Sequence, residues 1–383
     1  MKKFIFTMVS VMALVAMLAA CAPAATPAPA AAEEKPAAAE PTKAEAAAPA
    51  AAEPTKAEAA APAAAEPTKA EAAAPAAKVD PTKLKFVTVV KLSGVGWFNR
   101  MEEGVKQFAK DTGVQAFQQG PEKADAALQV QVIENNIAQK VDAISVVPFQ
   151  PESLEPVLKK AMDAGIIVIS HEASNQQNVN YDIEAFDNAA YGVHLMDKIG
   201  ELTGGKGEYV VFVGSLTSKT HNEWVDAGIA EQKAKFPEMK LVGDKNESYD
   251  DSQKAYEKAK EILKKYPDLK GMQGSSANDI VGFGQAVEEA GLNGKIAVVG
   301  TSLQSMVGKL LDTNAVQMAS CWDPAIAGQA MNKLALMIKN GETPKDGMDL
   351  GLKGYEKLTL KGKVFYGSAW IDITKDNQKD YAF

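Results

Sequence analysis

Short apolar runs rich in β-branched residues alternate with longer segments of helical periodicity from Leu84 to Phe383. Such runs are typical of strands in parallel sheets, because both faces of these strands are buried. Segments between the runs, such as 97–111, repeat apolar residues at helical spacing and predict helices. The first predicted strands lie at 85–90, 114–117, 142–147 and 166–170.

A second series with the same rhythm follows along the chain. Its strands are predicted at 208–213, 240–246, 269–273, 296–300 and 315–320, and its helices at 221–236, 252–266, 278–290 and 324–340. Alternation of this kind gives parallel sheets that are covered by helices and joined by right-handed crossovers. Two series of similar length therefore predict an α/β protein with two Rossmann-like lobes.

The first 21 residues have the order of an export signal. Lys2 and Lys3 precede an apolar run over 4–20, with small residues before the expected cleavage site. The segment 18–21, Leu-Ala-Ala-Cys, resembles a bacterial lipobox, which implies a signal peptide over 1–20 and lipid on the Cys21 thiol. The alternative is an uncleaved anchor helix, since about 17 residues is near the short limit for a membrane span. Either reading places the body outside the cytoplasmic membrane.

Residues 21–83 are expected to form a spacer that carries the lipidated Cys21. Three identical copies of AAEPTKAEAAAPA occupy 38–50, 51–63 and 64–76. Proline in every copy limits any helix to short pieces, and no copy has an apolar face to bury. We expect a solvated, semi-extended tether that gives the body reach, with a passive stalk across a cell wall as the alternative.

Charge and residue counts exclude several classes of function. The formal net charge is −8, whereas nucleic-acid binding needs a basic footprint. With three histidines and two cysteines, we expect no structural metal and no disulfide scaffold, and Cys321 is expected to be an inert core residue. The run GVGWFN at 94–99 lacks the third glycine of a dinucleotide fingerprint, so no cofactor is expected.

Polar and aromatic residues collect directly after the predicted strands, where ligands bind in open parallel sheets. These segments hold two of the three histidines and three of the four tryptophans. A sugar needs fixed donors and acceptors for its hydroxyls and aromatic rings for its C–H faces. Each residue also has a structural alternative as a helix cap, core residue or hinge contact. The candidate ligand-binding residues are Lys91, Trp97, Phe98, Asn99, His171, Glu172, Thr220, His221, Asn222, Ser275, Ala277, Asn278, Ser302, Trp322 and Asp323.

The body resembles the type I periplasmic sugar-binding proteins of ABC importers, within them the autoinducer-2-binding and rhamnose-binding branch. The resemblance covers nearly all of 85–383 and is carried by KLSGVGWF at 91–98, DAI at 142–144, AGI at 164–166, NEW at 222–224, YPDL at 266–269, VVG at 298–300 and WD at 322–323. It implies two lobes joined by three hinge crossings, an extracytoplasmic location and a membrane permease as partner. The first lobe would comprise 84–187 and 323–345, and the second 188–322 and 346–383.

The resemblance also bears on the ligand. Lys91 matches the lysine at the end of the family's first strand, and Ala277 matches an alanine. Glu172 stands where autoinducer-2 binders carry an aspartate, Thr220-His221 replaces an Asp-Gln pair, and Ser275 replaces a proline. These departures favour a deoxyhexose such as rhamnose, or another pentose or hexose, over autoinducer-2.

Other functions are weighed against this one. An autoinducer-2 receptor for uptake or signalling differs mainly in its ligand and partner. An exported sugar-modifying enzyme would use His171 or His221 as base with Glu172 or Asp323, but the chain has no nucleophile elbow, metal-ligand spacing or phosphate loop to support catalysis. A cytoplasmic sugar-responsive repressor would need a basic DNA-binding segment, which residues before Leu84 lack. We therefore expect a monomeric receptor without enzymatic activity.

Overall fold

The computed structural model describes residues 79–383. The predicted signal peptide, Cys21 and the spacer up to residue 78 lie outside the described residues. The last spacer residues, Pro81–Lys83, form one 3-10 turn that leads into the first strand. None of the helices in the described part of the chain has the length and apolar character that a membrane span requires.

Strands and helices alternate through the described residues, as the sequence predicts. The strands are β1 (Lys85–Val89), β2 (Gln115–Gln119), β3 (Ala143–Val146), β4 (Ile167–Ser170), β5 (Tyr181–Glu184), β6 (Lys206–Val213), β7 (Glu238–Leu241), β8 (Asn246–Glu247), β9 (Leu269–Gly274), β10 (Ala297–Thr301), β11 (Met318–Cys321), β12 (Thr359–Lys361), β13 (Val364–Tyr366) and β14 (Ile371–Ile373). The helices are α1 (Gly96–Thr112), α2 (Ala126–Ala138), α3 (Pro151–Asp163), α4 (Asn188–Thr203), α5 (Lys219–Lys235), α6 (Ser252–Lys265), α7 (Asp279–Glu289), α8 (Gln304–Asp312) and α9 (Pro324–Lys339).

The first lobe is built on a sheet of strand order β12-β13-β5-β4-β3-β1-β2. All neighbours are parallel except β12 and β13, which pair antiparallel. Helices α1 and α9 pack together on one face of the sheet, and α2 and α3 cover the other. Alternate residues of β1 serve the two faces, since Phe86 stacks on Phe108 of α1 whereas Val87 joins a separate core with Ile133 and Leu154. The continuous apolar runs of the sequence are explained by burial on both faces.

The second lobe has a sheet of order β14-β11-β10-β9-β6-β7, with β8 beside β6. Strand β14 pairs antiparallel with β11, and the remaining pairs are parallel. Helices α4 and α5 pack on each other against one face, and α6, α7 and α8 lie on the other. Both sheets point the carboxyl ends of their central strands toward the space between the lobes.

Helix boundaries follow local capping chemistry. Carboxylates of Asp125, Asp187, Asp251 and Asp323 accept hydrogen bonds from the first free backbone N–H groups of α2, α4, α6 and α9. Gly113 ends α1 in the left-handed conformation, with φ of 81°, which residues with a Cβ adopt only at a cost.

The chain passes between the lobes three times, at 185–187, 322–323 and 367–370. Part of the tail belongs to the first lobe, whereas the sequence-based division places all of 346–383 in the second. Strands β12 and β13 instead extend the first sheet, where Val364 pairs with Asp182 of β5. Only β14, which follows the third crossing, joins the second sheet. The open edge of β5 provides the backbone partners that β13 needs.

The closest approach of two helices in the first lobe depends on a glycine. A Cβ placed on Gly104 of α1 would lie 1.9 Å from the backbone oxygen of Ala325 in α9. Backbone cannot rotate away as a flexible side chain can, so the two helices would have to separate. Gly104 therefore sets the distance between α1 and α9.

We predict that Gly104→Ala lowers the free energy of unfolding by about 1–3 kcal/mol, the usual cost of overpacking a core. Urea unfolding followed by circular dichroism measures this difference. Gly308→Ala in α8 is the matched control, because its Cβ would meet the ends of two flexible side chains, Gln304 at 2.7 Å and Gln378 at 3.1 Å, and no backbone. The control should change the free energy of unfolding by less than about 1 kcal/mol. An equal loss in both variants would contradict this account of the α1–α9 contact.

Candidate functional site

A cavity lies between the lobes, at the carboxyl ends of both sheets. Nine of the fifteen candidate residues line it. The lining residues are Lys91, Val95, Trp97, Phe98, Glu172, His221, Trp224, Asp250, Ser275, Ser276, Ala277, Asn278, Thr301 and Trp322.

A buried ammonium between two carboxylates forms the charged centre of the cavity. Lys91 directly follows β1, and its Nζ lies 3.3 Å from Glu172 Oε2 and 3.6 Å from Asp250 Oδ2. Glu172 follows β4 of the first lobe, whereas Asp250 precedes α6 of the second. All three side chains are less than one-tenth exposed. The Lys91 ammonium therefore joins carboxylates that belong to different lobes.

Burial disfavours the charge of Lys91, yet Asp250 and Glu172 outweigh that effect and raise the pKa of its ammonium above the ordinary value. Burial likewise opposes ionisation of Asp250, but Lys91 and His221 hold the pKa of this carboxyl below its ordinary value. Each charge is thus stabilised mainly by its neighbours rather than by water.

Both carboxylates stand on strained backbone. Glu172 has φ of 59° and Asp250 has φ of 53°, in the left-handed region that favours glycine. Conformations of this kind cost about 1–3 kcal/mol each and persist where the surrounding fold imposes them. The fold also reserves space for Asp250, because a Cβ on Gly214 would lie 2.4 Å from Asp250 Oδ1.

His221 enters the cavity from the first turn of α5 as a neutral imidazole. Its Nδ1 accepts a hydrogen bond from the Gly214 N–H at 3.0 Å, so the proton sits on Nε2. Nε2 faces Glu172 Oε2 at 3.9 Å across the lobe boundary. Burial, followed by the nearby Lys91 ammonium, lowers the pKa of His221 to about 4. The site therefore offers one ammonium, two carboxylates and a neutral N–H donor.

Three indole rings form the aromatic wall. Trp97 and Trp322 meet edge to face with centroids 4.7 Å apart, and Trp224 meets Trp322 in the same way at 5.8 Å. Trp224 Nε1 donates to Asn188 Oδ1 at 2.8 Å, which fixes its ring. Trp322 Nε1 is buried and has no protein acceptor within residues 79–383. The wall thus combines apolar ring area with one free donor.

Short loops of the second lobe complete the cavity. The Asp279 carboxylate accepts the backbone N–H groups of Ser275 and Ser276, at 3.0 and 2.8 Å, and holds this loop at the start of α7. Asn278 donates to the Asp250 backbone oxygen at 2.7 Å, and Thr301 bonds the Tyr191 hydroxyl at 3.0 Å. These contacts fix the polar rim before any ligand arrives.

Six of the candidates lie outside the cavity lining. Asn99 is exposed on α1, because one residue beyond Phe98 the helix has turned its side chain away. His171 is fully buried below the site, where Nδ1 hydrogen-bonds the Ile183 carbonyl and the ring meets Trp322 at 5.7 Å. His171 thus supports the aromatic wall from behind.

Three further candidates hold loops in place. Thr220 donates to Glu184 Oε1 at 3.3 Å, and Ser302 donates to the Ala277 carbonyl at 2.8 Å. Asn222 donates to the carbonyls of Ser215, Leu216 and Ser218. Each hydroxyl or amide is satisfied by the protein.

Asp323, the sixth, caps α9 and binds the only arginine of the chain. Arg100 donates from Nε and Nη2 to the two carboxylate oxygens at 2.9 and 2.7 Å. This forked pair fixes the second hinge crossing to α1. Hinge packing is the structural alternative for Asp323, and its contact with Arg100 at the crossing agrees with that alternative.

Five lining residues were absent from the prediction, namely Val95, Trp224, Asp250, Ser276 and Thr301. Val95, Trp224, Ser276 and Thr301 lie in the same segments that follow the predicted strands, so their position could have identified them. Asp250 follows β8, which has two residues, and no apolar run marks that strand. Its role depends on a loop that the sequence pattern does not reveal.

The comparisons agree with this architecture. Residues 86–343 match the family model described as a periplasmic binding protein domain. A D-ribose/D-allose-binding protein of Pseudomonas aeruginosa is 27% identical over 288 residues, which is 70% of this chain and 87% of the relative. A xylitol-binding protein of Mycolicibacterium smegmatis is 29% identical over 314 residues, covering 78% and 86%. A solved solute-binding protein of an ABC transporter from Clostridium phytofermentas, with bound L-rhamnose, superposes with a TM-score of 0.73 at 23% identity over 78% of this chain and 98% of that one.

The chain belongs to the periplasmic binding protein family, and its two lobes with mostly parallel sheets are those of the type I members. The predicted fold class and family resemblance are confirmed. The family consists of binding proteins, and this chain is one of them rather than an enzyme.

The three histidines should titrate in a defined order. The hydrogen bond that His194 donates to Asp372 raises the pKa of His194, whereas burial lowers the pKa of His171 and brings that of His221 to about 4. Since an unfolded imidazole titrates near 6.5, His221 leaves folding unaffected above that pH and opposes it as the pH falls toward 4. NMR of the imidazole C–H groups between pH 8 and 4 should show His194 protonating first. Histidine-to-glutamine variants assign the signals, and His221 protonating before His194 would refute the site geometry.

Proposed function

We propose that this chain is the solute-binding protein of an ABC importer and that it encloses one monosaccharide between its lobes. The observation that carries the proposal is the cavity that Lys91, Glu172, Asp250, His221 and the three tryptophans line together. Relatives that bind D-ribose, D-allose, xylitol and L-rhamnose support a small polyhydroxylated ligand.

The chemistry of the walls fits such a ligand. Carboxylates accept hydrogen bonds from hydroxyl groups, and the Lys91 ammonium, His221 Nε2 and Trp322 Nε1 donate to hydroxyl oxygens. The indole faces of Trp97 and Trp224 match the C–H faces of a sugar ring. Groups that are already held in place lose little entropy on binding.

Closure over the ligand would follow from the division of these groups between the lobes. Lys91 and Glu172 stand on the first lobe, and Asp250 and His221 on the second. A ligand that contacts both sets binds the closed form more tightly than the open form and shifts the population toward it. The three crossings at 185–187, 322–323 and 367–370 would act as the hinge.

We also propose that the protein is a monomer, anchored outside the cytoplasmic membrane by lipid on Cys21. The spacer would let the body swing between solution and the permease, whose subunits would contact both lobes in the closed form. The export signal and lipobox-like segment of the sequence support this part of the proposal.

Isothermal titration of the purified protein tests the ligand class. The panel comprises D-ribose, D-allose, xylitol, L-rhamnose, D-arabinose and autoinducer-2. We expect at least one sugar or polyol to bind with micromolar or tighter affinity. If only autoinducer-2 binds, the ligand is a signalling molecule rather than a sugar. If every dissociation constant is millimolar or weaker, the proposal is overturned.

Asp250→Asn tests the site within the same experiment. The amide keeps the size of the side chain but removes the charge that faces Lys91, so we expect affinity to fall at least tenfold, or about 1.4 kcal/mol. Asp244→Asn is the matched control, since Asp244 lies exposed in the same stretch of the second lobe. Equal affinities of the two variants would remove Asp250 from the binding site.

Lipid attachment is tested by feeding producing cells an alkyne-tagged palmitate. We expect the full-length chain to carry the tag and to remain with the membrane fraction. Cys21→Ser should lose the tag and release the protein, whereas Cys321→Ser, at the only other cysteine, should keep it. Label retained by the Cys21→Ser chain would exclude Cys21 as the lipid site.

A further inference from the structure

A second group of buried carboxyls lies behind the ligand cavity, at the hinge side of the lobe interface. Asp182 and Glu184 belong to β5 and are 1% and 2% exposed. Neither has a lysine, arginine or histidine nitrogen within 4.0 Å in the described part of the chain. Buried carboxylates normally have a cationic partner, because an isolated charge is costly to desolvate. These two carboxyls therefore need another way to remain buried.

Glu184 is buried by contacts that cross between the lobes. Its Oε1 accepts a hydrogen bond from Thr220 Oγ1 at 3.3 Å, and Thr220 begins α5 of the second lobe. The first hinge crossing, 185–187, starts at the next residue. Opening of the hinge would separate Thr220 from Glu184 and admit water between them. The environment of Glu184 thus depends on closure.

Asp182 differs in this respect. Its Oδ1 accepts from Ser170 Oγ at 2.7 Å, and Ser170 belongs to β4 of the same sheet. That contact is independent of the second lobe. Of the two β5 carboxyls, Glu184 is therefore the one that accepts a hydrogen bond from a side chain of the second lobe.

The groups that face Glu184 are mostly acidic. Asp182 lies on the same strand, Glu172 follows β4, and Glu223 approaches from α5; the neutral hydroxyls of Tyr355 and Tyr366 lie beyond them. The nearby cations are engaged, since Lys91 binds Glu172 and Asp250 and Lys219 binds Glu223 at 3.0 Å. Burial, then Asp182, Glu172 and Glu223, raise the pKa of Glu184 well above its ordinary value. The closed arrangement accommodates a neutral Glu184 and disfavours its anion.

We propose that closure of the two lobes over the ligand takes up one proton on Glu184. This inference rests on the proposed function, because it assigns the proton to the ligand-driven movement. In the open form, water reaches the carboxyl and it ionises near the ordinary value for glutamate. In the closed form it is protonated and hydrogen-bonded to Thr220. Ligand affinity therefore weakens as the pH rises from the Glu184 pKa of the open form toward that of the closed form. The decrease is up to about tenfold per pH unit for one proton.

Calorimetry measures the proton directly. The tightest-binding sugar of the panel is titrated at pH 7 in phosphate and in Tris, whose heats of ionisation differ. We expect the full chain to take up close to one proton per ligand bound. Glu184→Gln, which mimics the protonated side chain, should bind the sugar with uptake near zero and lose the pH dependence of affinity. Glu223→Gln is the control at the same interface: it removes the weakest of the three acidic neighbours of Glu184 and should keep most of the uptake.

Two results would overturn the inference while leaving the receptor function intact: binding without proton uptake by the unmodified chain, or unchanged uptake by Glu184→Gln. If no sugar of the panel binds, the proposed function fails instead, and urea unfolding then decides the state of Glu184. A carboxyl that is neutral when folded makes the unmodified chain lose stability relative to Glu184→Gln as the pH rises from 5 to 8. A difference that stays constant over this range would refute the buried proton.

Discussion

The placement of one ammonium between carboxylates of two lobes is the constraint on which the site depends. Lys91 would be costly to bury alone, and so would Glu172 and Asp250, since each loses its hydration in the interior. Together they offset much of that cost, but the contact between Lys91 and Asp250, at 3.6 Å, forms only when the lobes come together. The left-handed backbone at both carboxylates shows that the fold tolerates strain to keep them there. The electrostatics of the cavity and the relative position of the lobes are thus set by the same contacts.

Much of the fold could be predicted because parallel strands that are buried on both faces leave continuous apolar runs in the sequence. The prediction of strands failed for segments that become strands by pairing with the edge of a sheet, because these segments have no characteristic side-chain pattern. Strand β5 carries Asp182 and Glu184 within four residues, and β12 to β14 have three residues each. Their positions depend on partners that lie far away along the chain, which explains why part of the tail was assigned to the wrong lobe.

The candidate site could be located from the sequence because the carboxyl ends of parallel strands lie at the same edge of a sheet, regardless of the conformation of the loops. Side-chain direction could not be obtained in the same way. His171 and Glu172 are neighbours, yet one turns into the core behind Trp322 and the other into the cavity. Phe98 and Asn99 are also neighbours, and the helix directs their side chains to different sides. Asp250 shows a further limit, because a loop after a strand of two residues brings it to Lys91.

The three crossings make neither lobe a continuous piece of chain, and this affects the order in which the protein can fold. Helix α9 covers one face of the first sheet together with α1, but it is synthesised after β6 to β11 of the second lobe. Until then the growing chain exposes a broad apolar strip over β3 and β4. Nascent proteins with such surfaces are prone to aggregate. A chaperone that holds the unfinished chain during its transit would therefore find its most persistent binding site on that strip.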